Sequence, residues 1–218
     1  MAIRLAPGVV GIHDAMTDAL TYFGISCTLK PSPARSSSVL LLDEIARRLE
    51  DAGCTGTTAR VVDHDIHFGV TSDEGDGDEW PTLRERVLAA DLFVVTTPIW
   101  MGHPSSVCQM VMERLDAFLG EEDDQGRMIS YDRVALVGVV GNEDGAHHVG
   151  AELFQGLNDV GFTLAANAMT YWVGEAMQKT DFQDLSPLPE KTMSTADLMV
   201  RNAVHLARRL KDEAYPAS

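Results

Sequence analysis

The sequence predicts an α/β fold in which helices cover both faces of a doubly wound parallel sheet. Five β-then-α alternations run along the 218 residues without an internal repeat. Continuous apolar runs such as Leu92–Val95 and Val134–Val140 suit parallel strands buried on both faces. Stripes at helical spacing lie between those runs, and this alternation is the signature of a parallel sheet with crossover helices. The length suits one domain with extensions and a substantial core.

Each element has its own justification. Residues 1–18 show no clear period and are expected to be an N-terminal arm; 19–213 form a single domain, and 214–218 a tail. Leu20–Ser26 reads as the first strand, ending at Cys27-Thr28. LKPSPARSSS, over 29–38, is a loop by its prolines and serines. Leu42, Ala46 and Leu49 recur at helical spacing within Val39–Glu50, and Gly53 stops that helix. Ala59–Val62 is expected as the second strand. Residues 63–79 carry seven acids and no Lys or Arg, and read as a solvated acidic insertion. Leu83–Ala89 is a short helix, Leu92–Val95 the third strand, and Val107, Val111, Leu115 and Phe118 the stripe of the next helix. Val134–Val140 is the fourth strand, Val149, Leu153, Leu157 and Val160 a further stripe, and Phe162–Met169 the fifth strand. The last helix is expected to open at Ser194, with Asp197 three residues on in a capping-box arrangement.

Charge narrows the function classes. Seventeen Lys+Arg against 33 Asp+Glu leave a formal net charge of −16, which disfavours nucleic acid because its phosphates would be repelled. Cys27, Cys54 and Cys108 are far apart and odd in number, which fits a reducing cytoplasm and not a disulfide framework. No stretch approaches the roughly 20 apolar residues of a membrane span, and the N-terminus lacks a signal-peptide pattern. A cytoplasmic protein is expected.

Ligands of such sheets bind beyond the carboxyl ends of the strands, where the strand order reverses. Three loops therefore matter: 28–38, 97–105 and 141–148. The first offers the hydroxyls of Thr28, Ser32, Ser36, Ser37 and Ser38, the charges of Lys30 and Arg35, and a helix start. That set suits a phosphate; a polar loop with a serine N-cap is the simpler alternative. It is not the nucleotide-triphosphate GxxxxGK[ST] pattern. The second loop centres on Ile99, Trp100, Met101 and Gly102, apolar groups suited to a flat ring or to covering the core edge. The third, Gly141-Asn142-Glu143-Asp144-Gly145, offers acceptors for a ring N–H. His147 and His148 are adjacent on a helix and point apart, so surface histidines are expected and no metal site. His64, Asp65 and His67 with the acids of 73–79 fail the EF-hand template. Cys108 reads as a buried small apolar residue.

The segments CTLKPSPARSSS, TTPIWMGHPSS…MERL and GNEDGAHHVGAELFQGLNDVGF…TYWVG resemble the flavodoxin-like NAD(P)H-dependent FMN reductase family, over roughly residues 19–174. The resemblance implies a three-layer sandwich with a five-stranded sheet in the order 2-1-3-4-5. It also implies FMN as cofactor and NADH or NADPH as reductant. By it, Thr28, Lys30, Ser32, Ser36, Ser37 and Ser38 hold the FMN phosphate. Pro98, Ile99, Trp100, Met101 and Gly102 line the ring edge, with Gly141, Asn142, Glu143, Asp144 and Gly145 as the partner loop. Trp100, His103 and His148 are expected on the substrate face, and no catalytic acid or base is named. Ser37-Ser38 stands where Ser-Asn-Thr is frequent, Trp100 where Tyr is, and Gln109 where Lys is. The related iron–sulfur flavoproteins carry a cysteine cluster that 63–79 lacks, so no Fe–S centre is expected.

The implied activity passes hydride from NAD(P)H through FMN to a small acceptor such as a quinone, a flavin or a nitroaromatic. The alternative is a flavodoxin-like electron carrier without NAD(P)H activity of its own, although the first loop lacks that group's compact Thr/Ser-x-Thr-Gly-x-Thr pattern. A homodimer or higher homo-oligomer is implied, with Tyr171, Trp172 and Met177 either at an interface or covering the end of the sheet.

Overall fold

A computed structural model of the chain describes residues 19–176 and 178–217. The expected arm over 1–18 and Met177 lie outside them. Six strands form in chain order: β1 (Thr21–Ser26), β2 (Thr55–Arg60), β3 (Leu92–Trp100), β4 (His103–Pro104), β5 (Val134–Gly141) and β6 (Thr163–Val173). The helices are α1 (Ser37–Asp51), α2 (Trp80–Ala89), α3 (Ser106–Leu115), α4 (Ala146–Asp159) and α5 (Glu190–Asp212). The five long strands pair in parallel in the order β2-β1-β3-β5-β6, which is the implied 2-1-3-4-5 order once β4 is set aside. β4 is an addition, a two-residue antiparallel return onto the end of β3.

Side chains alternate across the sheet and split the core in two. Phe23, Ile25, Phe93, Val95 and Val137 face α2, α3 and α4, with Trp80, Phe118 and Phe162. Tyr22, Leu92, Val94 and Leu136 face α1 and α5, with Leu41, Ile45, Met199 and Ala203. Gly138 lets α1 approach β5 closely. A Cβ there would lie 2.8 Å from Thr96 Cγ2 and 3.0 Å from Leu41 Cδ2.

Four expectations need correction. β2 runs over Thr55–Arg60 and not Ala59–Val62, because Thr55-Gly56-Thr57-Thr58 pairs with β1 despite its exposed, polar character. The apolar Val61-Val62 turns instead into a short 3-10 segment. β6 continues to Val173, four residues beyond Met169. The last helix opens at Glu190 behind Pro189, so Ser194 sits inside it and its hydroxyl donates to Lys191 O at 3.1 Å. Asp197, instead of capping, accepts from Arg48 Nε of α1 at 2.6 Å.

The fourth correction concerns the acidic insertion. The side chains of Asp78 and Arg114 are both fully buried and pair through Nη2–Oδ2 at 2.8 Å. Arg114 also donates to His67 O (2.8 Å) and Thr71 O (3.1 Å). Asp78 accepts from the N–H groups of Glu74, His67 and Trp80. Residues 63–79 are therefore clamped onto α3 by one guanidinium. Burial pushes the Asp78 carboxyl up, but the hydrogen bonds from Arg114 and from those amides outweigh it and hold it well below the usual range.

Breaking this pair strands a buried charge. Arg114→Ala is expected to cost about 3–5 kcal/mol in urea unfolding, and replacing both partners by apolar residues much less. Because the folded carboxyl is depressed, its contribution is present above the unfolded value of about 3.9 and fades as pH falls through the folded one. Arg114→Ala should accordingly flatten the acid limb of the stability curve.

Candidate functional site

The chain leaves β1 for α1 on one face of the sheet and leaves β3 for α3 on the other. Between these departures lies a cavity of about 580 Å³ at the carboxyl ends of β1, β3 and β5. Its polar end is the loop between β1 and α1, with Thr28, Lys30, Ser36, Ser37 and Ser38. No side chain caps α1, and its first turn holds no acid. The N–H groups of Ser37, Ser38 and Val39 precede the first intrahelical bond, from Leu40 N–H to Ser36 O, and the helix dipole adds positive potential there.

The hydroxyls of this loop are largely committed to one another. Ser36 Oγ donates to Thr28 Oγ1 at 2.9 Å, and Ser38 Oγ lies 3.1 Å from Ser26 Oγ and 3.2 Å from Ser36 Oγ. Thr28, Ser36 and Ser38 are buried. Their role is to hold the helix start against β1, leaving backbone N–H groups, Ser37 and Lys30 toward the cavity. From behind, Arg60 Nη1 donates to Lys30 O and Ala34 O, each at 2.9 Å, and so sets the curve of the loop.

The apolar end is walled by Pro98, Ile99, Trp100, Met101, Val140, Trp172 and Phe182. Trp172 and Phe182 stack tilted, with ring centroids 5.7 Å apart. Trp100 and Met101 remain 55% and 89% exposed at the rim. Met101 adopts φ 54°, unusual for a non-glycine residue, and its N–H donates to Glu143 Oε1 at 2.7 Å. That bond joins the β3 loop to the loop after β5. Close backbone approach tightens the same junction. Gly145 has φ 126°, and a Cβ on it would lie 2.8 Å from Gly102 Cα.

Of the expected site residues, Thr28, Lys30, Ser36, Ser37, Ser38, Pro98, Ile99, Trp100, Met101, Gly141, Asn142 and Glu143 line this cavity. Gly102 and Gly145 stand behind it as the contact between loops. Asp144 is exposed and lies off the lining. Ser32 turns away, donating through its N–H to Asp63 Oδ1 at 2.7 Å and through its hydroxyl to Oδ2. Arg35 pairs with Asp184 and the carbonyl of Gln183. His103 and His148, expected on the substrate face, line a different hollow with Pro104, Gln109, Glu152 and Gln155. The reason is the β3–β4 return: Met101 and Gly102 both take positive φ and reverse the chain, which carries His103 toward α4.

Sequence reasoning missed the segment after β6. Ala176, Gln178, Asp181 and Phe182 close the cavity from that side. Asp181 accepts from Asn142 Nδ2 at 2.9 Å, and Gln183 N donates to Ser37 Oγ at 3.2 Å. Of the four lining residues only Phe182 is a large apolar residue, and a single aromatic in a polar loop does not announce a cavity wall. Asn142 Oδ1 and Gln183 Oε1 are buried without a hydrogen-bond partner among the described residues. Cys27 and Cys108 are buried in contact with each other, and burial pushes the Cys27 thiol up, so neither reads as a nucleophile.

This donor set fits a flavin mononucleotide. An uncapped helix start with Lys30 matches a phosphate, and the aromatic and aliphatic walls match a flat apolar ring.

Comparison with known proteins agrees. The NADPH-dependent FMN reductase family matches residues 23–178. The chain is 32% identical over 207 residues to the 8-demethyl-8-aminoriboflavin-5'-phosphate synthase of Streptomyces davaonensis, covering 90% of this chain and 80% of that protein. It is 34% identical over 204 residues to a divalent metal cation transporter of Mycobacterium bovis, but the match spans only 30% of that protein. The crystal structure of RosB with a bound 8-demethyl-8-formylriboflavin-5'-phosphate intermediate superposes with a TM-score of 0.83 at 32% identity, covering 90% of this chain and 82% of that one. No helix among the described residues is long and apolar enough to cross a membrane. A β1–β3 crevice with a phosphate-type helix start and a ring-type wall, in a chain matched across most of its sheet, makes this an FMN-binding oxidoreductase that belongs to the NADPH-dependent FMN reductase family.

Proposed function

We propose that the protein takes hydride from NAD(P)H and delivers the electrons, through FMN, to a small acceptor such as a quinone, a flavin or a nitroaromatic. The observation that carries this reading is the cavity itself, anion-binding at one end and aromatic at the other, with Trp100 and Met101 exposed at its mouth. Lys30, Ser37 and the first turn of α1 hold the phosphate by charge and by backbone N–H groups. Ile99, Val140, Trp172 and Phe182 hold the ring and exclude water from its inner edge. Asn142 supplies polar atoms for the ring's amide edge. Trp100 and Met101 form the surface on which nicotinamide and acceptor are received in turn. No side-chain acid or base is required, because bound FMN itself accepts and releases the electrons.

Three cysteines, all buried and free, support a reducing cytoplasm as the setting. A homodimer or higher homo-oligomer is part of the proposal, and the half-exposed Tyr171 on the edge strand β6 is a contact point for it.

A second reading is favoured by one observation, the 32% identity and TM-score of 0.83 to a structure holding a riboflavin-phosphate intermediate. In that reading the flavin in the cavity is the substrate and leaves chemically altered. Anaerobic addition of NADH or NADPH to the FMN-loaded protein should bleach the flavin absorbance, with reoxidation on adding quinone. Mass spectrometry of the flavin after many turnovers should show unchanged FMN. Indifference to both dinucleotides would remove the first reading, and a changed flavin mass would establish the second.

Two substitutions test the roles of the two ends. Lys30→Ala should weaken FMN binding about 10- to 100-fold, the range for losing a charged hydrogen bond worth about 1.5–3 kcal/mol, while riboflavin, lacking the phosphate, binds as before. Glu143→Ala removes the acceptor that holds Met101 in its strained conformation. It should raise the dissociation constants of FMN and riboflavin alike by about five-fold, as expected for roughly 1 kcal/mol. Fluorescence quenching titrations read both.

A further inference from the structure

Three side chains outside the flavin cavity converge on one point. His103 opens β4 directly after the Gly102 turn, whereas His148 and Glu152 lie four residues apart on α4 and share one face. His103 Nδ1 and His148 Nε2 each lie 3.0 Å from the same oxygen, Glu152 Oε1. The two imidazole rings meet edge to face, with centroids 4.9 Å apart. All three donor atoms fall within 4.8 Å of one another, and among the described residues no other group of His, Cys, Asp or Glu converges in this way.

The geometry has a chemical consequence. Glu152 Oε1 carries two lone pairs and can accept from both imidazoles, so three side chains already direct their donor atoms at one place. A cation at its centre would replace these hydrogen bonds by one coordinate bond from each side chain. Tetrahedral zinc, with bonds of about 2.0–2.2 Å, places its donors roughly 3.3–3.5 Å apart. The present contacts are already near that separation, and small rotations of exposed side chains suffice to reach it. Two imidazoles and one carboxylate suit zinc and its borderline neighbours over magnesium or calcium, which prefer all-oxygen shells. Three protein ligands also leave a fourth position open. Gln109 and Gln155 line the same hollow as the three side chains.

We propose that His103, His148 and Glu152 form a binding site for a divalent ion of the zinc class, with one coordination position open to solvent. The site is separate from the flavin cavity in its residues. It nonetheless joins the element after the 97–102 loop to the helix after the 141–145 loop, the same two loops that Glu143 and Met101 connect. The acidic insertion is not an equivalent site. Asp78 there is occupied by Arg114, and Glu79 accepts from the N–H of Asp65 at 2.6 Å.

Isothermal titration of Zn²⁺ into the tag-free, FMN-loaded full chain tests this, with Mg²⁺ as the contrasting ion. One Zn²⁺ per chain is expected, with Mg²⁺ failing to compete at equal concentration. His103→Ala and His148→Ala, both at exposed positions, should each weaken Zn²⁺ by more than the roughly 10–100-fold that loss of a merely supporting residue costs. Glu152→Gln should weaken it as well. X-ray absorption of the zinc-loaded protein should report two imidazole ligands. A chain that takes up no zinc, or a His103→Ala/His148→Ala double variant that binds it as the unaltered chain does, would overturn the proposal.

Discussion

The site depends on a divergence. β1 and β3 are neighbours, Ser26 at the end of β1 beside Thr96 while β3 runs on to Trp100, and the chain leaves them toward opposite faces of the sheet. No connection crosses the space between, so a crevice opens where two strand ends and a helix start meet. Hydrogen bonds keep the ends in place around it. Cys27 N–H donates to Thr96 O at 2.8 Å, and Ser105 Oγ donates to Cys27 O while accepting from Cys108 N–H at 3.1 Å. Ser105 thus caps α3 and ties it back to β1. Both walls of the crevice are thus held by the chain's own hydrogen bonds, as a pre-formed site requires.

Much of this was legible in the sequence because it follows from periodicity. Leu92–Val95 and Val134–Val140 are buried on both faces, so their apolar runs are unbroken and their places in a parallel sheet can be read directly. Edge strands escape that logic. β2 pairs along one side only, and its first four residues are exposed, so Thr55–Thr58 carries no hydrophobic signal while the adjacent Val61-Val62 carries a misleading one. The start of α5 was hidden for a different reason. Serine followed by an acid three residues on is a capping signal that also occurs within helices, and Pro189 just ahead of Glu190 was the better marker.

The site divides along the same line. Loop residues following strand ends were found because topology says where to look. The segment after β6 was not, since Asp181 and Phe182 are set against the cavity only by long-range contacts, Asp181 with Asn142 and the neighbouring Gln183 N–H with Ser37. The meeting of His103 with His148 is likewise a tertiary fact. Forty-five positions separate them, and nothing in either neighbourhood implies the contact. Arg114 is the plainest case. It reads as one more charged residue on an amphipathic helix, yet its guanidinium organises the whole acidic insertion. Pattern analysis sees which face of a helix is apolar, but it does not see a buried charge whose partner lies in a distant loop.

A chain of net charge −16 can still offer a place to the phosphate of the proposed flavin. Residues 19–42 and 92–112 contain no acid, and they supply the helix start and the ring wall. Two carboxylates nevertheless line the cavity, Glu143 and Asp181. Each is engaged as a brace, Glu143 by the N–H of Met101 and Asp181 by the amide of Asn142. Their charge is partly met by these donors, and they belong to the loop after β5 and the closing segment, whereas the proposed phosphate end is the β1–α1 loop. At that end Lys30 and the uncapped first turn of α1 present positive potential at contact distance. Distant surface acids act through water and salt, which screen them beyond about 8–10 Å. Short-range donors therefore decide whether the anion binds, and net charge decides only how often it arrives.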